Sequence, residues 1–250
     1  MPETLAITRL LNHLFGGIVA SLLQTVGVHP ANPAAPIDDA FALELLVAGC
    51  LILFFLVVRF TLSVEKPNPA QQIAEMLHDF TGAQADSIIG HGYERFQAFV
   101  TCIFLFVLLN NLLGLIPFIT TPTSRPVVPL GLAVLTFLYY NFHGIRVQGP
   151  IGYLKHFAGP LWWLAPLMFP IEIVSHLARM MSLTIRLYAN MLASDLVTLV
   201  FFSMIPFAIP AVFLGLHFFV SLIQAFVFML LAMIYLSGAV AHDTTHAEAL

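Results

Sequence analysis

The residues best suited to chemistry in this sequence lie inside apolar surroundings. Arg186 sits within MSLTIRLYANMLASDLVTLVFF, from Met181 to Phe202, and Asp195 follows in the same run. A guanidinium stays protonated at any physiological pH, so it is a poor proton carrier and a good fixed cation. Histidine titrates near neutrality and carboxylates lower, so Asp195 and the later His217 are residue types that pass protons on. On a helix each residue advances about 100°. With Arg186 as origin, Glu172, Ser175, Arg179, Ser182 and Asn190 all fall within about 40° of it, a stripe about 27 Å long. Asp195 falls near 180°, on the opposite face, so it is not a simple helix-surface partner of Arg186.

A second stripe follows downstream, where Ser221, Gln224 and Tyr235 lie within about 40° of His217. Pro206 and Pro210 separate the two stretches and predict a turn. In an antiparallel hairpin about that turn, Asp195 with His217 and Arg186 with Gln224 are level to within about two residues. Arginine at mid-membrane costs about 2.5–3.5 kcal/mol on insertion scales, so a buried ionisable set of this kind points to function. Plainer readings fit some members. Arg179 can snorkel to an interface, the serines can serve helix packing, and His176 reads as a packing or interfacial residue. A permanent cation between two groups of relay residues stops a proton from passing straight through. The proton then needs a carrier from outside this chain, and the stripe suggests a partner bearing a membrane-buried carboxylate.

The elements that must hold these residues are membrane helices. Of 250 residues 60% are hydrophobic and only 9% charged, against about 25% charged in soluble domains. The net charge of -4 carries no basic block for nucleic acid. Cys50 and Cys102 lie in apolar runs and read as buried thiols, neither a disulfide nor a metal pair. The two lysines, Lys66 and Lys155, sit in no phosphate-binding motif. The expected fold is all-α, a multi-pass integral membrane protein of about five transmembrane helices, the last two a long tilted hairpin. Residues 1–40 are expected to form an outer amino-terminal tail with an interfacial helix, an uncleaved signal-like segment being the alternative. Residues 41–250 form one membrane domain, with spans at about 41–62, 96–118, 130–145, 166–205 and 207–240. His29–Asp39, Thr120–Pro129 and Gly149–Pro160 read as connections, and Pro69–Asp86 as a short surface helix. Lys66 and Arg95 with Arg59 at their edge, then Arg146 and Lys155, outnumber Arg9 and Arg125 on the alternate loops. By the positive-inside rule the amino terminus lies outside and the carboxyl terminus inside.

SLTIRLYANMLASDLV (Ser182–Val197), HFFVSLIQAFVFMLLAMIYLS (His217–Ser237) and NNLLGLIPF with TPTS (Asn110–Ser124) closely resemble subunit a of F-type ATP synthases, over most of residues 40–240. The resemblance implies a non-catalytic, proton-translocating stator subunit of the F0 sector. Such a subunit forms two half-channels beside a rotating ring of c subunits, with b subunits and the F1 sector as further partners. It would sit in the bacterial inner membrane, with no cofactor or metal and no nucleotide bound by this chain. By position Arg186 matches the essential arginine, Asn190, Asp195, His217 and Gln224 the outer half-channel, Glu172 and Ser175 the inner one, and Ser182 a polar position beside the arginine. The chain departs from the family pattern at Tyr188–Ala189, at Ser194 where glycine is more usual, and at Phe118. Asp195 is shorter than a glutamate common there, and a bridging water would restore a link to His217. The alternative is a stand-alone proton or cation transporter, whose usual inverted repeat with interrupted helices is not found. A haem or quinone protein is disfavoured because His143 and His156, separated by glycines and a proline, cannot share one helix. Ser and His also fall into no hydrolase nucleophile motif.

Overall fold

In lipid every backbone N–H and C=O must be satisfied within its own segment, so long apolar runs become helices. The computed structural model describes residues 6–25, 36–63, 66–116, 119–158, 165–204 and 208–240. Its helices are α1 (Ala6–Thr25), α2 (Asp39–Phe60), α3 (Pro69–Ile89), α4 (Glu94–Leu112), α5 (Val127–Ala158), α6 (Ala165–Met204) and α7 (Ala208–Val240). Five stretches are long and apolar enough to span a membrane: Asp39–Phe60, Glu94–Leu115, Val127–Val147, Pro166–Phe202 and Ala211–Val240.

Two regions depart from the sequence reading. Within α5 the helix breaks at Gly149, whose φ of 73° and ψ of 158° are non-helical, and a second helical stretch follows as far as Ala158. Glycine alone takes that backbone conformation without cost, so the break falls where the sequence reading put it and the helical stretch after it is the departure. Cys50 and Cys102 are unpaired as expected, but both face outward from their helices and are exposed. Part of the predicted turn, residues 205–207, lies outside the described residues.

The core forms where α4, α6 and α7 meet, with Val107, Leu187, Met191, Phe228 and Met229 fully buried. Small residues allow close approach. A Cβ on Gly82 of α3 would lie 2.7 Å from the Gln97 amide of α4, and that amide donates to the His78 carbonyl at 2.7 Å. The outer face of α6 is largely apolar and exposed, with Ile185, Leu196 and Leu199 among its outward side chains.

α6 is one helix of 40 residues, about 60 Å long. Its Pro170 stands in the second turn, where the missing N–H leaves one i→i−4 bond unmade near the helix start. α7 returns along it. Phe201 stacks on Phe213 at 4.3 Å between centroids, and Asp195 lies level with His217. The Asn190 amide donates to Gln224 Oε1 at 3.0 Å, so Gln224 meets the residue one helical turn beyond Arg186.

The start of α2 gathers the neighbouring elements. The Asn12 side chain of α1 bonds both the carbonyl and the N–H of Ile37 at 3.0 Å. Thr8 donates to Asp39 at 2.5 Å. Arg125, in the connection between α4 and α5, pairs with Asp38 at 3.1 Å.

Candidate functional site

The half-turn separation between Arg186 and Asp195 along α6 decides the layout of the site. Arg186 projects from an exposed face of α6, as do Ser182 and Asn190. Among the described residues no hydrogen bond or ion pair reaches its guanidinium. The opposite face of α6 carries Asp195 into the protein, where four segments converge.

His217 of α7 is buried, with 1% of its side chain exposed. Its Nε2 lies 3.2 Å from the backbone carbonyl of Asn111. A carbonyl only accepts, so Nε2 carries the proton and Nδ1 of the neutral ring is an acceptor. Ser194 Oγ stands 2.6 Å from that Nδ1 and donates to it. Asp195 Oδ1 is 3.8 Å from the same nitrogen, beyond hydrogen-bond range. The gap foreseen between Asp195 and His217 is therefore present, and a serine hydroxyl occupies the histidine's contact.

Asp195 has a different first partner. Thr121, in the connection between α4 and α5, donates its hydroxyl to Oδ1 at 2.8 Å and its backbone N–H to Oδ2 at 3.2 Å. Both carboxylate oxygens are thus held by one residue. The Ser124 hydroxyl donates to the Thr121 carbonyl at 2.7 Å and Thr123 donates to Asn111 at 2.6 Å, so the loop is bonded to itself and to α4. Gly114 lets the pieces meet, because a Cβ there would lie 2.7 Å from His217 Nε2 and would overlap the Thr121 hydroxyl.

A cavity of about 380 Å³ lies between α6 and α7. Its wall includes Asn190, Ser194, Thr198, Phe213 and Gln224. On α6 it is lined from Asn190 to Thr198, and it includes both partners of the Asn190–Gln224 bond.

A second polar group lies at the other end of α6. Glu172 Oε1 is 3.6 Å from His176 Nε2, and the Tyr140 hydroxyl of α5 is 3.0 Å from His176 Nδ1. Arg179 stands 5.7 Å over the Tyr235 ring. Ser175 is half-buried nearby on the same helix. Ser221 is fully buried in α7. Among the described residues no group of three or more His, Cys, Asp or Glu side chains is arranged to hold a metal ion.

Of the residues singled out in the sequence, Asp195 and His217 come together, and so do Asn190 and Gln224. Glu172 joins a histidine read as a packing residue. Arg186 stands between the two groups, about 13 Å along the helix from Asp195 and about 21 Å from Glu172. Sequence reasoning missed Thr121, Ser194, the Asn111 carbonyl and Tyr140 as members of these groups. Asn111 and Thr121 belong to the Asn110–Ser124 stretch already singled out by resemblance.

Known proteins resemble this chain closely. The family model described as ATP synthase A chain matches residues 42–237. A protein of Koribacter versatilis named ATP synthase subunit a is 50% identical over 97% of this chain and 99% of its own length. One of Solibacter usitatus with the same name is 45% identical over 93% and 99%. One of Bdellovibrio bacteriovorus, also so named, is 46% identical over 68% and 75%.

Proposed function

This chain belongs to the ATP synthase A chain family, a non-catalytic, proton-translocating component of the membrane sector of the ATP synthase complex, and on that premise we propose that its two polar groups are half-channels separated by Arg186. The observation that carries this reading is the placement of one permanent cation on an exposed face of α6 between two groups of titratable side chains.

The partner facing Arg186 is a ring of c subunits, each with a carboxylate in an apolar helix. An ionised ring carboxylate is attracted to the guanidinium and a protonated one is not, so Arg186 holds the charged form and releases the neutral one. Protons reach the ring from the outside through Asp195, His217 and the cavity, where Asn190 and Gln224 orient the last waters. They leave through the group of Glu172 and Ser175, with Ser182 lying between that group and the arginine. Because arginine does not give up its proton, the two routes stay separate unless the ring turns. The b subunits and the F1 sector complete the stator and the catalytic head. The Asp195 end faces outward in this reading, supported by Arg125 being the lone basic residue of its connection. The amino terminus is then outside and the carboxyl terminus cytoplasmic, in a bacterial inner membrane.

Replacing the cation tests the reading. In reconstituted whole complexes, Arg186→Ala abolishes ATP-driven proton pumping, measured by quenching of a pH-sensitive dye. Pumping at the unmodified rate contradicts the role.

A further inference from the structure

His217 and the cavity between α6 and α7 are not in direct contact. His217 is 1% exposed, and it does not contribute to the cavity wall. A proton on its ring therefore needs an intermediate group to reach the water-sized space beside Asn190 and Gln224. Ser194 meets both requirements, because its hydroxyl is 2.6 Å from His217 Nδ1 and its side chain lines the cavity. The tautomer set by the Asn111 carbonyl makes Nδ1 the nitrogen that gains and loses the proton.

We propose that Ser194 is a proton-relay residue, carrying protons between Nδ1 of His217 and water in the cavity. The proposal rests on the reading of Asp195 and His217 as the outer path. When Nδ1 is protonated, the Ser194 hydroxyl turns so that its oxygen accepts from the ring. The Nδ1–H bond then breaks as a new Oγ–H bond forms, and the hydroxyl's original proton passes to a cavity water. Serine ends as a neutral hydroxyl, the ring ends neutral, and the water carries the positive charge onward. Rotation of the hydroxyl back toward Nδ1 resets the pair. Asp195 approaches the same nitrogen at 3.8 Å and supplies the counter-charge while the ring is protonated. Thr121 holds both Asp195 oxygens, which leaves the short contact on Nδ1 to Ser194.

The test uses whole complexes in sealed vesicles, stripped of their catalytic head, with passive proton conductance measured under an imposed potential and normalised to the amount of this subunit in the complex. Ser194→Ala, Ser194→Thr and His217→Ala are compared with the unmodified protein. The relay predicts that Ser194→Ala lowers conductance by about a hundredfold, the lower end of the range for a positioned proton-transfer group, while Ser194→Thr keeps most of it. A packing role predicts the reverse order, because alanine fits the space and threonine adds a methyl. Equal loss in both serine variants, or a fully conducting Ser194→Ala beside an impaired His217→Ala, overturns the relay and leaves the outer path standing. Unchanged conductance in His217→Ala overturns the path itself.

Discussion

The two ends of α6 carry similar chemistry in unlike settings. At the Asp195 end, α4, the connection after it, α6 and α7 all contribute, and His217 and Thr121 are almost wholly enclosed. Each nitrogen of the imidazole and each oxygen of the carboxylate has a fixed neighbour there. At the Glu172 end the polar group is drawn from α5 and α6, with Arg179 against Tyr235 of α7 to one side, and the Glu172 side chain is about twice as exposed as that of Asp195, at 31% against 15%. If the two ends are half-channels as proposed, this contrast decides where protein atoms do the carrying. An enclosed end must pass protons from side chain to side chain, so its geometry is exacting. On the half-channel proposal, the more exposed Glu172 end leans less on fixed neighbours, so those neighbours need only hold the acid.

That contrast predicts unequal sensitivity to single-atom changes. Thr121→Val removes a buried hydroxyl from a carboxylate and keeps the shape. A hydrogen bond to a charged group contributes about 1.5–3 kcal/mol, so conductance should fall by about tenfold as Asp195 loses its placement, while Thr121→Ser stays close to the unmodified value. Passive conductance in head-stripped vesicles reads both, and an unaffected Thr121→Val breaks the claim that this end depends on exact placement. Tyr140→Phe removes one hydroxyl from the Glu172 end. A neutral hydrogen bond contributes about 0.5–1.5 kcal/mol, less than one to a charged group, so the conductance change should stay within about fivefold. A larger loss in Tyr140→Phe than in Thr121→Val inverts the comparison.

Much of this layout was readable in the sequence because burying charge is costly. Arg186, Asp195 and His217 stand out in apolar runs, and helical arithmetic alone puts the acid and the arginine on opposite faces. The hairpin register was right for Asp195 with His217. Gln224 bonds Asn190, one turn beyond Arg186, a choice of partner that index sums do not specify. Thr121 carries no comparable signal: it is an uncharged residue in a loop, 74 positions from the acid it holds. Ser194 is a small polar residue beside a conspicuous acid, and its partner depends on the ring orientation that the Asn111 carbonyl imposes. The helical stretch after Gly149 was hidden because a Gly/Pro-rich run reads as a loop throughout, whereas the break is confined to one glycine at positive φ and helix resumes after it.

The proposed half-channels are two aqueous routes that approach Arg186 from opposite sides of the membrane and do not join. In a background with Cys50 and Cys102 replaced by serine, Val197→Cys places a thiol on the cavity wall and Ser175→Cys places one beside the Glu172 group. Labelling whole complexes in oriented membrane vesicles with a small membrane-impermeant thiol reagent, added to one side at a time, reads which side each route opens to. With separate routes, Val197→Cys reacts from the outer side alone and Ser175→Cys from the inner side alone. Reaction of both thiols from the same side, or of either thiol from both sides, contradicts that separation.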